Sequence, residues 1–250
     1  MAGDPPQAGQ HRGRGVTAPG EHLFFPLQEP QTIQRLFGSI ARRYDLANHL
    51  LSGGCDFLWR RRAARIVRGW APGRVLDLAT GSGDVALTLR RYLPEEVLIV
   101  GADFCVPMLR EGLKKGAGPV AAADGLALPF GDGAFDALTV AFGLRNMASY
   151  LGALKEMHRV LRPGGHVLIL DFSVPPPPLR WVYRPYLHHV LPSIAGWLTG
   201  ERSAYEYLGE SIEAFPSGAA MSALLEEAGF AEPTAEPLTG GIVSLYTARA

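Results

Sequence analysis

From residue 74 onward the apolar residues gather into short runs of strand length, each followed by a stretch with helical spacing. Val75-Leu76-Asp77-Leu78, Val97-Leu98-Ile99-Val100, Pro119 to Ala123, Phe135 to Phe142 and Gly165 to Phe172 are nearly continuous apolar runs. Runs of this kind mark strands covered on both faces, as in a parallel sheet. Val85 to Tyr92 and Tyr150 to Leu161 carry the helices between them, and Arg162-Pro163-Gly164-Gly165 turns the chain into the fifth strand. Strand and helix thus alternate from Arg74 to Ser173, which predicts an α/β fold with helices on both sides of the sheet. Pro175 to Pro178 form a rigid spacer that ends the repeat. An aromatic-rich helical insertion is expected between Leu179 and Leu208, then a helix over Ala219 to Ala228. Phe230 to Glu236 and Gly241 to Ala248 complete a sheet of seven strands. Upstream, Ile33, Leu36, Phe37 and Ile40 sit at helical spacing before Tyr44 within a pattern that runs from Gln31 to Gly69. The expected organisation is a disordered extension over 1–20, rich in Gly, Pro, Gln and Arg, a helical cap over 31–70, and one domain over 71–250 with the insertion at 179–208.

A chain of 250 residues suits one such domain with additions. Its 24 basic and 24 acidic side chains balance, which argues against a nucleic-acid partner. The two cysteines, Cys55 and Cys105, have neither metal spacing nor the look of a disulfide framework, so a reducing cytoplasm and no metal are expected. No apolar stretch reaches the length of a membrane span, and the N-terminus lacks the apolar core of a signal peptide.

The chemistry concentrates where the first strand ends, in Asp77-Leu78-Ala79-Thr80-Gly81-Ser82-Gly83-Asp84. Gly81 and Gly83 allow a sharp turn and a close backbone approach to a ligand. With Ala86 in the third place the loop also fits a dinucleotide fingerprint. Asp84 argues against that, because a pyrophosphate takes the amides at a helix N-terminus and a carboxylate there competes for them. Asp77 adds a second negative charge. A ligand bearing a sulfonium and an ammonium but no phosphate suits such a site, and S-adenosylmethionine is one; the plainer alternative makes Asp84 a helix cap. Asp103 closes the second strand twenty residues after Gly83, placed to accept both ribose hydroxyls of either kind of cofactor. Asp124-Gly125 follows the third strand, placed for the adenine edge. Any one of these acids alone has an ordinary strand-end reading; three at successive strand tips form a ligand site.

The strand-tip pattern resembles class I S-adenosylmethionine-dependent methyltransferases over Arg74 to Ala250. Two segments are more specific. Tyr44-Asp45-Leu46-Ala47-Asn48-His49 through Asp56-Phe57-Leu58-Trp59 is similar to the first signature of the quinone C-methyltransferases of menaquinone and ubiquinone synthesis, and Arg159 through Ser173 is similar to their second. Phe142-Gly143-Leu144-Arg145-Asn146 matches the segment after the fourth strand, and Tyr205-Glu206-Tyr207-Leu208, Phe215-Pro216 and Ala228-Gly229-Phe230 fit as well. The chain departs from the family pattern at Asp56, where many members have His, at Asp171, where Glu is usual, at Tyr246, where His is frequent, and at Ala47, where Met is common.

The resemblance implies a Rossmann-like, seven-stranded class I sheet and S-adenosylmethionine as cofactor. It carries the cofactor contacts onto Ser82, Asp103 and Asp124-Gly125, with Ala141 where some members place a serine. Its implied substrate is a polyprenylated quinol, demethylmenaquinol first and a methoxy-benzoquinol second; a methyltransferase for another small acceptor and a non-catalytic S-adenosylmethionine-binding scaffold are the competing readings. For catalysis Arg145 is expected to stabilise the quinolate charge and Asn146 to orient a hydroxyl, against the alternative that Arg145 pairs with an acid to hold its loop. Tyr44, Asp45, His188 and His189 remain open as the group that removes the proton. Trp181, Tyr183, Tyr186, Leu187, Val190, Leu191, Ile194, Trp197 and Leu198 form a stretch suited to a greasy lid, or to a helix packed on the core. Arg60, Arg61, Arg62, Arg65 and Arg68 form a basic helix face that is either solvated or set against anionic lipid at the inner side of a membrane. A homodimer is implied by the family alone.

Overall fold

The computed structural model describes residues 52–193, 196 and 202–250. The expected disorder over 1–20, the helical positions Ile33, Leu36, Phe37 and Ile40, the candidate bases Tyr44 and Asp45, and Ile194, Trp197 and Leu198 lie outside the described residues.

Helix α1 (Cys55–Gly69) begins where Gly53 and Gly54 take positive φ of 58° and 77°. Trp59, Ala63, Ala64 and Val67 then recur at helical spacing and are buried against the sheet. The sheet contains β1 (Arg74–Leu78), β2 (Leu98–Asp103), β3 (Val120–Ala122), β4 (Phe135–Ala141), β5 (Leu161–Phe172), β6 (Ala231–Leu238) and β7 (Val243–Arg249) in the order β3-β2-β1-β4-β5-β7-β6. The first five are parallel; β7 runs antiparallel to both neighbours, because it returns from β6 through the short turn Thr239–Gly241. Between them lie α2 (Asp84–Tyr92), α3 (Val106–Lys114), α4 (Tyr150–Val160) and, before β6, α7 (Ala219–Glu227).

Side chains alternate across the central strands, so each strand feeds two cores. Leu76, Leu78, Leu138, Val140, Val167 and Ile169 face the side covered by α4 and α7. Val75, Ile99, Ala137, Leu168 and Leu170 face α1 and α2. Nearly all are fully buried, each Val, Leu or Ile among them contributing roughly 1.5–3 kcal/mol. Two-sided burial is why the strands read as continuous apolar runs. Tyr246, one of the family departures, lies in the core with its hydroxyl accepting the Gly218 N–H at 3.0 Å.

The expected insertion forms α5 (Leu179–Pro185), widens into a π turn over Tyr186–Val190 directly after Pro185, and resumes as α6 (Arg202–Ala214). Part of it follows the packed-helix alternative. Tyr183, Leu187 and Leu191 pack with Ile212 into a small third core, whereas Trp181 and Val182 are 72% and 70% exposed.

Candidate active site

Strand order reverses direction between β1 and β4, and the C-terminal ends of these strands part there. In open α/β sheets this is where ligands bind. A single cavity occupies it, floored by Ala79 to Ser82, reached by Asp103 and Asp124-Gly125 on one side and by Ala141, Phe142 and Asn146 on the other. Two non-glycine residues that line it, Ala79 and Phe142, hold left-handed backbone with φ of 53° and 58°. Each such residue costs roughly 1–2 kcal/mol, and strain of this kind collects at working sites. Gly143 makes the strain tolerable locally, since any Cβ there would overlap Ala79.

The glycine loop divides its tasks. Gly81 takes φ of 56° and lines the cavity, as does Ser82. Gly83, at φ 84° and capping α2, is needed for packing: a Cβ there would overlap the Ala117 methyl. It does not line the cavity, so the expected ligand approach at this position is corrected to a close approach between chain segments.

Asp103 reaches the cavity while its two oxygens accept the backbone N–H groups of Gly81 and Cys105, both at 2.8 Å. Burial pushes its carboxyl up, and these amides together with that of Phe104 draw it back. A carboxylate offers about four acceptor positions, so about one is left beyond the amides of Gly81, Phe104 and Cys105. Asp124 is exposed and accepts the Leu126 N–H at 2.9 Å; Gly125 beside it is backed by Met147, so closely that a Cβ would meet the sulfur at 2.9 Å.

Asp77 is placed differently from the expectation. It precedes the last residue of β1, so alternation turns it onto the α1–α2 face beside Thr139 rather than out of the strand tip. There it is 1% exposed and accepts the hydroxyls of Thr80 at 2.6 Å and Thr139 at 2.8 Å, beneath the loop and outside the cavity lining. Burial raises its carboxyl to about 6, against the lowering effect of those hydroxyls. Its role is corrected from ligand contact to support of the loop. Asp84 does line the cavity, at the first position of α2 behind an unaided Gly83 cap, but it is already paired with Arg60 at 3.2 Å and Lys115 at 3.1 Å. The helix-cap alternative and the free-carboxylate reading therefore both give way to an ion cluster.

Arg145 follows the loop-holding alternative. Its Nη1 lies 2.6 Å from Asp171 Oδ1 and 2.6 Å from the Phe142 carbonyl, its guanidinium stacks 5.2 Å from the Phe172 ring, and it does not line the cavity. Both partners are essentially sealed from solvent, at 3% and 0% exposure; full burial pushes the Asp171 carboxyl up and the arginine charge draws it back. The expected direct contact of Arg145 with a reacting ring is corrected accordingly. Asn146 lines the cavity and its Oδ1 accepts the Tyr207 hydroxyl from α6 at 3.2 Å. Burial pushes that phenol up to about 12, so it remains a donor. His188 pairs with Glu213 at 3.3 Å and His189 is exposed; neither lines the cavity.

The arginines of α1 do not form one face. Arg61, Arg62, Arg65 and Arg68 are exposed, and Arg62 is paired with Glu236, but Arg60 turns inward and lines the cavity. Its Nη1 meets Asp56 Oδ2 at 2.8 Å, one helical turn back. That four-residue spacing was the signal available in the sequence. Tyr207 and the Met108 and Met147 walls left no comparable signal, since their relation to the cavity depends on how α3, α6 and the loop after β4 converge.

The fold is that of the S-adenosylmethionine-dependent methyltransferases. An enzyme of that class from Thermotoga maritima superposes with a TM-score of 0.64 at 18% identity, covering 86% of this chain and 98% of that one. Another from Aquifex aeolicus gives 0.53 at 18% identity, covering 74% and 87%. Within that class the chain belongs to the ubiE/COQ5 methyltransferase family, whose pattern it matches over residues 27–249. It is 48% identical to the demethylmenaquinone methyltransferase of Thermus thermophilus over 219 residues, 84% of this chain and 98% of the relative. It is 42% identical to the ubiquinone/menaquinone biosynthesis C-methyltransferase UbiE of Geotalea uraniireducens, over 90% of this chain and 98% of the relative.

Proposed function

We propose that this chain is an S-adenosylmethionine-dependent C-methyltransferase that converts demethylmenaquinol to menaquinol. The observation that carries the reading is the joining of Asp103, Asp124 and the Gly81-Ser82 turn around one cavity at the strand-order reversal, in a chain 48% identical to a demethylmenaquinone methyltransferase. The site fits the cofactor: Asp103 keeps acceptor capacity for a ribose hydroxyl, Asp124-Gly125 offers an acceptor and a flat backbone to the adenine, and Gly81 leaves room at the amino-acid end. When bound, S-adenosylmethionine supplies a methyl group already activated by its sulfonium.

The protein's part is to orient the acceptor ring and to favour the charge it develops. A quinol ring carbon is nucleophilic when a neighbouring hydroxyl is ionised. Asn146, fixed by Tyr207, presents its amide to that hydroxyl. Arg145 acts through position: tied to Asp171 and to the Phe142 carbonyl, it holds the Phe142–Asn146 turn in its strained form and adds a fixed positive charge behind it. The insertion receives the prenyl tail, and its exposed Trp181 and Val182 support contact with a membrane surface from the cytoplasmic side. Among the described residues no helix is long and apolar enough to cross a membrane.

The test is methyl transfer from labelled S-adenosylmethionine to short-chain demethylmenaquinol, with the methoxy-benzoquinol in parallel, each with and without dithionite. Product is expected from the reduced naphthoquinol alone or preferentially. Equal rates on rigorously oxidised quinone would rule out the mechanism, and turnover of neither quinol would rule out the function.

A further inference from the structure

We propose that Arg60 is the anchor for the α-carboxylate at the amino-acid end of the cofactor; the inference rests on the cofactor reading above and adds a ligand residue to it. The cavity is otherwise poorly matched to a carboxylate. Its charged lining residues among those described are Asp84, Asp103, Asp124 and a single cation, Arg60. S-adenosylmethionine carries an α-carboxylate beside its ammonium, and that group needs a donor within a ring of acids.

The arrangement of Arg60 suits this task. The side chain is 10% exposed, and long cations are rarely buried so far without full pairing. Its pairing is incomplete. Asp56 and Asp84 both approach Nη1, at 2.8 Å and 3.2 Å, whereas Nε is buried with no hydrogen-bond partner among the described residues. A guanidinium is a planar fork that grips a carboxylate along one edge. The two aspartates both hold the Nη1 end of that fork, and the side chain lines the cavity, where a further acceptor can meet it. Asp56 is itself fixed, 2% exposed and accepting the Ser52 hydroxyl at 2.8 Å, so the guanidinium is clamped from within α1. Asp84 then stands next to Arg60 on the cavity wall, which gives neighbouring charges of opposite sign for the ammonium and carboxylate of one amino acid.

The test compares three ligands by calorimetry: S-adenosylhomocysteine, its decarboxylated analogue, and 5′-methylthioadenosine, which lacks the whole amino-acid end. The parent protein is expected to bind the first about 10-fold or more tightly than the second, as a charge-assisted bond implies. Arg60→Gln is expected to weaken S-adenosylhomocysteine by about 10–100-fold and the two ligands without a carboxylate by less than about 3-fold. Arg60→Lys, which keeps the charge without the fork, should fall between. Equal weakening of all three ligands, or of none, overturns the assignment and leaves Arg60 a tie between α1 and α2. A parent that binds none of them overturns the cofactor reading instead. If Arg60→Gln does not fold, Arg60→Lys and the preference of the parent decide: a parent indifferent to the carboxylate overturns the proposal.

Discussion

Replacing Asp77 by Asn removes a charge from the interior while keeping the shape of the side chain. In the folded chain the Asp77 carboxyl is raised from 3.8 to about 6, chiefly by burial. Between those values the folded protein binds more protons than the unfolded chain, so the ionisation of Asp77 lowers stability as pH rises through this window and then stays level. About two pKa units correspond to about 3 kcal/mol. Asparagine mimics the neutral acid at every pH, but it offers one acceptor where Thr80 and Thr139 each donate to an oxygen, so one hydroxyl must turn and accept, at a cost of about 1 kcal/mol. Asp77→Asn should therefore be about 2 kcal/mol more stable than the parent at pH 8, with a melting temperature higher by about 4–8 °C. At pH 4, where the window has only begun, the order should reverse by about 0.5 kcal/mol. The assay is urea unfolding of both proteins at pH 4, 6 and 8, in which titrations common to the two cancel. The same variant should bind S-adenosylhomocysteine more weakly, because the charge beneath the glycine loop is gone; proteins commonly keep a costly group where function needs it. A stability difference that does not change between pH 4 and pH 8 refutes the reasoning, since it would mean that Asp77 titrates alike in both states.

Arg145→Ala should cost about 3–5 kcal/mol because it strands the buried Asp171 charge, and Arg145→Leu combined with Asp171→Leu should recover most of that stability. The loss in kcat, on the order of 10²–10³-fold, should persist in the double variant; recovery of kcat along with the melting temperature would show that the pair matters only for folding. Asp103→Asn should weaken cofactor binding by about 10–100-fold in calorimetry, and Asp103→Ala by more, because the Gly81 and Cys105 amides also lose their acceptor; unchanged affinity would move the ribose contact elsewhere. Gly83→Ala should destabilise by about 1–3 kcal/mol, through its positive φ and the overlap with Ala117, as read by denaturant midpoint. A neutral Gly83→Ala would show that the loop and Ala117 can separate freely.

The apolar runs, their two-sided burial and the glycine turn were legible in the sequence because they are local. A strand between two helical layers must be apolar throughout, and a sharp turn needs φ that only glycine takes readily. Asp103 and Asp124-Gly125 were legible for the same reason, since each closes or follows its own strand and so must stand at the sheet's C-terminal edge. The sequence by itself could not say which way a side chain faces once its neighbours are distant in the chain. One residue of register put Asp77 on the sheet face beside Thr139 instead of at the tip. Arg145 found Asp171 across 26 residues and became a support, while Asn146, next to it, took the cavity. Arg60 looked like one of five surface arginines; its four-residue spacing from Asp56 was readable, but only the packing of α1 on α2 added Asp84 at the edge of the site. Tertiary structure made these decisions because the energy of a charged group depends on what lies within a few ångströms of it, and for these residues the decisive neighbours come from other elements.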